Sequence, residues 1–368
     1  MVEFDDYGPE KVFEVYNAKV GMHGFVVIDN TALGPGKGGI RMTPTVSRTE
    51  VSRLARAMTW KNALAGIPFG GAKAGIIADD RQITQKEKDE LVASFAKALK
   101  PVCPEFYVGG PDMNMAEHEM EVYANANGNN MSCTGKPASM GGLPHELGST
   151  AFGCFHSMKV GLKHQGKSVE RITVAIEGFG NVGWFMAKFV TEAGGKVVAV
   201  SDSRGVIYHK DGLDFEKLAS VKKDEGTVTK YGEGEVLPAH EIISIDCDVL
   251  VTAAIPDLIG PKDVDKIKAK LIVQGSNIPM SFEDEKRLHE KGVLIIPDFV
   301  ANAGGVISSW AESIGKDKKF MFKAVEEKIV KNTQEVLTRA EKEGKAPREV
   351  AVQIAKERVL GKCKTCRV

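Results

Sequence analysis

Apolar residues in the first half of the chain follow one clear helical pattern. After Ser47, apolar side chains recur every three or four residues as far as Ala65, which places them on one face of a helix. Ser47 and Glu50 have the spacing of a capping box and predict the start of this helix. Gly66 predicts its end. Glycine-rich segments surround this helix on both sides.

The second half alternates short β-branched runs with helical segments. We predict strands at residues 171–177, 196–202, 249–252, 271–274 and 293–296, with a helix at 183–192. Strands that alternate with helices are typical of βαβ units and a parallel sheet. Residues 319–359 are charged and have a helical pattern, and we expect them to pack on the first domain or on the hinge between two domains.

Length and composition describe an ordinary globular protein. A chain of 368 residues exceeds the size of a typical single core, so two domains are expected. Lysine plus arginine and aspartate plus glutamate number 49 each, which gives no reason to expect a nucleic-acid or membrane partner. No apolar run is long enough to span a bilayer, and the acidic N-terminal residues lack the features of a signal peptide. We therefore expect a cytoplasmic protein.

The six cysteines are widely spaced and do not resemble a disulfide framework. A reducing cytoplasm is the simplest setting for them. Cys363 and Cys366 form a single CxxC pair. One pair supplies only half of a tetrahedral zinc site. The pattern thus favours a solvated tail over a metal or redox site.

Three lysines, Lys37, Lys61 and Lys73, lie within runs of glycine and apolar residues. Lysine is rarely buried unless it is paired, and glycines allow a ligand to approach the backbone closely. The pattern predicts a pocket for a ligand that carries more than one negative charge. Lys61 lies on the apolar stripe of the predicted helix, where the alternative is a side chain that extends from the stripe's edge to water.

A GxGxxG sequence follows the predicted strand at 171–177 and opens the next helix. Gly178 would make the turn, Gly180 would allow the backbone to reach a pyrophosphate, and Gly183 would let helix and strand pack closely. Asn181 and Val182 lie between them at the helix N-terminus, which attracts phosphate. The strand, the glycines and the helix together predict a dinucleotide site.

Asp202 follows about 20 residues later, at the end of the next predicted strand. A carboxylate there binds the ribose hydroxyls of NAD and repels a 2′-phosphate, so NAD is favoured. Ser203 and Arg204 follow directly and offer a site for that phosphate, so NADP stays open. With the three lysines, this predicts hydride transfer to or from a small anionic substrate. We find no cluster of carboxylates for a metal, which disfavours a metal-dependent decarboxylating dehydrogenase.

Six motifs resemble those of the amino-acid dehydrogenases that act on glutamate, leucine, valine or phenylalanine. They are KGGIR (37–41), MTWKNA (58–63), GGAK (70–73), GPDMN (110–114), SDSRG (201–205) and PDFVANAGGV (297–306). The resemblance extends from Gly34 to Ser309. It disfavours a non-catalytic nucleotide sensor, because Lys73 and Asp112 are both present.

The resemblance implies roles for individual residues. Lys73 is the catalytic lysine, Asp112 its acid–base partner, and Lys61 the ligand of the substrate α-carboxylate. Asn277, Asn302 and Thr150 are expected at the nicotinamide end of the cofactor. Oxidative deamination requires proton transfers at the substrate nitrogen, and lysine desolvated beside other cations is suited to such a task.

The identity of the amino acid depends on the side-chain pocket. Lys37, followed by Gly38 and Gly39, occupies the position where glutamate enzymes place the lysine for the γ-carboxylate, and Ser309, after Val306, matches the serine that assists it. The shorter chain and the segment 146–153 resemble the branched-chain enzymes instead. Pocket residues decide specificity more directly than length, so glutamate is favoured and leucine or valine is the alternative.

The resemblance also implies the fold and the assembly. We expect a two-domain α/β protein with a mixed-sheet substrate and oligomerisation domain at residues 1–145, completed by the C-terminal helices 311–368. Residues 146–310 would form a Rossmann domain that binds NAD(P), with the active site in an interdomain cleft. The expected partners are the amino acid, its 2-oxo acid and ammonia, in a homo-oligomer for which a hexamer is favoured.

Overall fold

The computed structural model describes residues 2–144 and 147–367 and divides into two compact units. Unit 1 comprises Met1–Leu147, Val306–Ala324 and Val352–Val368, and unit 2 comprises Gly148–Gly305 and Val325–Ala351. The domain boundary expected between residues 145 and 146 falls on two residues outside the described ranges, as do residues 1 and 368. None of the helices in those ranges is both long and apolar enough to cross a membrane.

Unit 1 is built on a mixed sheet. Its strands are β1 (Lys11–Asn17), β2 (Met22–Asn30), β3 (Gly36–Lys37), β4 (Ile40–Thr43), β5 (Gly70–Ile77) and β6 (Tyr107–Val108). Its complete helices are α1 (Arg48–Ala65), α2 (Gln85–Ala98) and α3 (Glu117–Asn127). The strand order is β1-β2-β5-β3-β6, with β4 also paired to β5.

Alternation along β5 gives this sheet two different faces. Ala72, Ala74 and Ile76 enter a buried core with α2 and α3. The intervening positions face α1, because a Cβ on Gly71 would lie 2.2 Å from the backbone nitrogen of Thr59. Lys73 shares this second face, and the glycines beside it let α1 pack against the strand.

Helix α1 begins and ends where the sequence predicts. Ser47 accepts a hydrogen bond from the backbone N–H of Glu50, and Gly66 ends the helix in a left-handed conformation. The predicted capping box is incomplete, however. The Glu50 carboxylate accepts from Arg41 at 2.6 Å instead of returning to the N-cap backbone.

Unit 2 is built on a seven-stranded sheet. Its strands are β7 (Thr173–Glu177), β8 (Lys196–Asp202), β9 (Gly205–Tyr208), β10 (Glu235–Leu237), β11 (Val249–Thr252), β12 (Leu271–Gln274) and β13 (Leu294–Ile296). Its helices are α4 (Ser149–His164), α5 (Asn181–Glu192), α6 (Phe215–Glu225), α7 (Phe282–Glu290) and α8 (Asp298–Ala301). The order is β10-β9-β8-β7-β11-β12-β13. The predicted parallel arrangement holds from β8 to β13, and β9 and β10 add an antiparallel edge.

The C-terminal helices belong to both units. They are α9 (Gly304–Ser313), α10 (Lys318–Glu343) and α11 (Pro347–Leu360). Residues 311–368, expected as one block of the first domain, divide between the units, because residues 325–351 pack with unit 2. Arg348 contributes to this packing, because it forms buried ion pairs with Glu285 and Asp298 of unit 2.

Candidate functional site

Lys73 and Asp112 lie side by side in unit 1. β5 carries Lys73, and Asp112 lies in the segment between β6 and α3. Lys73 Nζ is 3.0 Å from Asp112 Oδ2, and Arg41 Nε donates to the same oxygen at 2.9 Å. Only 9% of the Lys73 side chain is exposed. The structure brings the two candidate catalytic residues together and adds Arg41, to which sequence analysis assigned no role.

Two positive charges act on the Asp112 carboxyl group. Burial alone would raise its pKa, but the charges and hydrogen bonds of Lys73 and Arg41 outweigh burial and lower the pKa below its usual value. Asp112 is therefore a carboxylate at neutral pH. A carboxylate one hydrogen bond away from a lysine is able to pass a proton between that lysine and a nitrogen atom of a ligand.

Lys37 is buried in the same unit, with 3% of its surface exposed. Its ammonium donates to the carbonyl oxygen of Gly109 at 2.5 Å, and burial lowers the pKa of Lys37 to about 8. A Cβ on Gly110 would lie 2.6 Å from Lys37 Nζ and 3.6 Å from Thr134 Oγ1. This Thr134 hydroxyl is buried and has no hydrogen-bond partner within residues 2–144 and 147–367. An ammonium and a hydroxyl close to one glycine suit a carboxylate ligand.

Glu312 connects α9 to this part of unit 1. Its carboxylate accepts from Lys136 Nζ at 2.7 Å and from two backbone N–H groups. Its charge also raises the pKa of Lys37 against the larger effect of burial, so α9 passes near that ammonium. Ser309 lies about one turn before Glu312, and Val306 about one turn earlier. Both are half-buried.

The remaining substrate-site candidates surround β3 and α1. A Cβ on Gly38 would lie 1.6 Å from the carbonyl oxygen of Ala72, and one on Gly39 would lie 2.8 Å from Asp112 Cβ. These two glycines therefore allow the chain after Lys37 to pass close to β5 and Asp112. Lys61 is half-buried on α1.

In unit 2 the three glycines of the GxGxxG sequence have different tasks. Gly178 has a φ of 88°, a left-handed conformation that favours glycine. A Cβ on Gly183 would lie 1.9 Å from the carbonyl oxygen of Gly178, whereas a Cβ on Gly180 would meet no atom within 4 Å. Gly180 thus borders open space where Asn181 and Val182 begin α5. Free N–H groups and the helix dipole suit this position to a phosphate.

Asp202 ends β8 as expected, but its carboxylate is already engaged. One oxygen accepts from Lys222 Nζ at 2.7 Å, and the other from the backbone N–H of Arg204 at 2.9 Å and from Thr227 Oγ1 at 3.2 Å. Lys222 offsets the negative charge of Asp202, so the expected repulsion of a 2′-phosphate is weakened. Ser203 and Arg204 are exposed beside it.

Asn277 and Asn302 are also brought together. Asn302 Nδ2 donates to Asn277 Oδ1 at 3.0 Å and to the carbonyl oxygen of Gly275 at 3.2 Å. Asn302 Oδ1 is buried and has no partner in the described part of the chain, so it is available to accept from an amide group. Thr150, in the first turn of α4, lies near Gly305, whose Cβ would be 3.1 Å from Thr150 Oγ1.

Arg348 holds the segments that carry these asparagines. Its guanidinium donates to Gln274, to both oxygens of Glu285 and to Asp298 at distances of 2.7–2.8 Å. Asp298 in turn accepts from the backbone N–H of Ile278 through its side chain and from that of Asn302 through its carbonyl. Arg348 is absent from the residues predicted from the sequence, because no local pattern connects it to these partners.

Two protein-family models together match nearly the whole chain. Residues 9–128 match the family described as Glu/Leu/Phe/Val dehydrogenase, dimerisation domain. Residues 141–365 match the family described as Glutamate/Leucine/Phenylalanine/Valine dehydrogenase.

Individual relatives agree with these matches. The glutamate dehydrogenase of Aeropyrum pernix is 38% identical over 352 residues, which cover 90% of this chain and 83% of the relative. The NADP-specific glutamate dehydrogenase of Saccharolobus shibatae is 37% identical, over 77% of this chain and 69% of the relative. The hetero-hexameric glutamate dehydrogenase of Thermus thermophilus, solved with leucine bound, has a TM-score of 0.86 and 26% identity, covering 97% of this chain and 89% of the other.

Proposed function

The chain belongs to the Glutamate/Leucine/Phenylalanine/Valine dehydrogenase family, and we propose that it catalyses the reversible NAD(P)-dependent oxidative deamination of L-glutamate to 2-oxoglutarate and ammonia. The observation that carries this proposal is the buried ammonium of Lys37, with the Thr134 hydroxyl nearby, which has no hydrogen-bond partner among the described residues. Glutamate supplies a second carboxylate for these groups. A leucine or valine side chain would leave the ammonium facing a hydrocarbon, which a polar pocket rejects strongly.

We assign substrate binding to unit 1. Lys37 and Ser309 hold the γ-carboxylate, with Val306 and the glycines at 38 and 39 shaping the pocket. Lys61 holds the α-carboxylate. This leaves the amino group of the substrate for Lys73 and Asp112, which already share a hydrogen bond.

Lys73 and Asp112 then manage the protons. Asp112, kept ionised by its two cationic neighbours, takes a proton from the substrate ammonium, so that the nitrogen lone pair is free. A bound NAD(P) would supply the hydride acceptor for the substrate Cα. Water adds to the iminium carbon and loses one proton to solvent, and the Lys73 ammonium donates a hydrogen bond to the oxygen of the carbinolamine. Asp112 returns its proton to the nitrogen, the carbinolamine hydroxyl loses its proton to solvent, and ammonia leaves as the C=O bond of the 2-oxo acid forms.

We assign the dinucleotide to unit 2. The pyrophosphate would lie at Gly180 and the N-terminus of α5, and the carboxamide at Asn302 and Asn277, with Thr150 close by. Because Lys222 offsets the charge of Asp202, we propose that both NAD and NADP are used. The relative from Saccharolobus shibatae is named NADP-specific, which supports acceptance of the 2′-phosphate.

We also propose a homo-oligomer, with a hexamer favoured. The match of residues 9–128 to a dimerisation domain supports self-association. The similar Thermus thermophilus enzyme is a hexamer, although a hetero-hexamer. Light scattering of the purified chain measures the number of copies directly.

The test is the rate of NADH and NADPH oxidation with ammonia and either 2-oxoglutarate or 4-methyl-2-oxopentanoate. We expect activity with 2-oxoglutarate, and a loss of about 100-fold in its kcat/KM in Lys37→Leu, since a hydrogen bond to a charged group contributes about 3 kcal/mol. Lys97→Leu, at an exposed lysine of the same unit, is the matched control and keeps the activity. A preference for the branched oxo acid, or full activity of Lys37→Leu, would refute the proposed substrate.

A further inference from the structure

Cys363 and Cys366, which the proposed reaction does not use, are joined by a disulfide just after α11. Both are half-buried, as is the free thiol of Cys103, whereas Cys133, Cys154 and Cys247 are buried. We propose that this pair is a reversible thiol–disulfide site that exchanges with vicinal dithiols. We also propose that its oxidised form holds residues 361–367 against the N-terminal segment, residues 5–8.

One buried side chain contacts both sulfur atoms. Asn30, at the end of β2 and only 1% exposed, directs its Nδ2 to Cys366 Sγ at 3.4 Å and to Cys363 Sγ at 3.7 Å. Thiol–disulfide exchange releases a thiolate, whose charge an N–H donor stabilises. Asn30 therefore supports opening of the bond as well as holding the closed pair.

The same contacts anchor two distant parts of the chain. Asn30 Nδ2 also donates to the carbonyl oxygen of Tyr7 at 2.9 Å. The backbone N–H of Arg367 donates to the carbonyl oxygen of Asp6 at 3.0 Å. Asp5, in the same N-terminal segment, pairs with Arg56 of α1. The disulfide fixes the backbone between residues 363 and 366, and so presents Arg367 to Asp6. The expectation of a merely solvated tail does not account for these bonds.

The surroundings of the pair favour thiol chemistry over metal binding. Within the described ranges, no group of three or more cysteine, histidine or acidic side chains is arranged to hold a metal ion. Lys362, Lys364 and Arg367, which are neighbours of the two cysteines in sequence, are exposed, and nearby positive charges favour a thiolate.

The exchange is balanced with a dithiol alone. A thiolate of the dithiol attacks one sulfur, the Cys363–Cys366 bond breaks, and the second thiol of the reagent closes its own disulfide. Two electrons and two protons pass from the dithiol to the two cysteines. In the mixed disulfide, the released cysteine of the pair is close enough to re-form the Cys363–Cys366 bond and expel the reagent. A dithiol competes with this step because its own second thiol also has a high effective concentration, so it is a better reductant here than a monothiol.

The test equilibrates the intact protein with reduced or oxidised dithiothreitol, labels the native protein with N-ethylmaleimide, and locates the labels by mass spectrometry. We expect both cysteines to be labelled after reduction and neither after oxidation. Labelling at the other cysteines should be at least about 100-fold slower, since burial raises the pKa of Cys133 to about 12 and that of Cys103 to about 11. Cys103→Ser is the matched control and should cycle like the wild type.

Hydrogen exchange measures the anchoring separately. Amide exchange at residues 5–8 and 364–367 should accelerate on reduction, and Cys366→Ser should exchange rapidly under both conditions. Labelling of the pair in the oxidised sample, or its absence in the reduced sample, would overturn the proposed exchange. Equal amide exchange in the two states would overturn the anchoring. None of these readouts depends on the proposed enzymatic activity.

Discussion

Arg348 is a demanding test of how unit 2 is held together. Replacement of Arg348 by methionine keeps most of the hydrophobic stem but removes the guanidinium. The carboxylates of Glu285 and Asp298 then lose the positive charge of the guanidinium, and their side chains are only 3% and 9% exposed. We expect unit 2 to be destabilised, and the segments that carry Asn277 and Asn302 to lose their support.

The magnitude follows from the four hydrogen bonds that Arg348 makes to three side chains. Removal of one partner from a buried ion pair costs about 3–5 kcal/mol, because the charge left behind is uncompensated. Arg348→Lys keeps the charge, but an ammonium cannot reproduce the planar fork that reaches all three partners, and we expect an intermediate loss. The matched control is Lys188→Met, because Lys188 is 38% exposed and its partner Glu192, on the same helix α5, is 60% exposed. An exposed pair contributes about 0–1 kcal/mol.

The assay is hydrogen exchange of peptides from β11 to β13 as a function of urea, at one fixed protein concentration, since the two units need not unfold together. Steady-state kinetics then measure the KM for the coenzyme and for 2-oxoglutarate. Arg348→Lys should raise the KM for the coenzyme more than the KM for 2-oxoglutarate, because Arg348 acts through Asp298 on the segments near Asn277 and Asn302. If Arg348→Met is as stable as Lys188→Met, or if Arg348→Lys changes both KM values equally, this account of Arg348 is refuted.

Two further predictions test the phosphate site and the substrate pocket. Gly180→Ala should fold, at a cost of about 1 kcal/mol or less, and should raise the KM for either coenzyme, whereas Gly183→Ala should destabilise unit 2 because its Cβ would lie 1.9 Å from the Gly178 oxygen. Thermal unfolding and coenzyme titration separate these effects, and similar behaviour of the two variants would contradict the assignment. The kcat/KM for 2-oxoglutarate should fall as the pH rises above about 8, because burial lowers the pKa of Lys37 to about 8 and the ammonium is charged only below it. If kcat/KM still falls above about pH 8 in Lys37→Leu, the decrease does not come from deprotonation of Lys37.

Local patterns in the sequence were sufficient where local forces decide the structure. β8, β11 and β12 have the bounds that their β-branched runs predict, since buried parallel strands are apolar along their whole length. The two-domain α/β prediction is confirmed by the family matches and the related structures. One local signal is missing from the predicted elements: Thr84 and Glu87 form a complete capping box at the start of α2.

Long-range contacts account for what the sequence did not show. The motif that contains Asp202 indicates a free carboxylate. In the structure, however, this carboxylate accepts a hydrogen bond from Lys222 on α6, a helix that lies outside the GxGxxG motif and the strand that follows it. Arg41 lies in a recognised motif, yet its bond to Asp112 spans 71 residues. The partners of Arg348 become visible only after the C-terminal helices have been placed. Spacing identifies which side chains are available for chemistry, and packing decides which of them are already occupied.

The division of the C-terminal helices has a consequence for engineering and for evolution. The polypeptide passes from one unit to the other after residues 147, 305, 324 and 351. A recombination that exchanges residues 148–305 alone between two relatives would separate that segment from its own Arg348. Hybrids made in this way keep the buried ion pairs of Glu285 and Asp298 only if the other parent places an arginine at the same point, or if residues 325–351 are transferred with the segment. The smallest interchangeable module is therefore discontinuous in the gene.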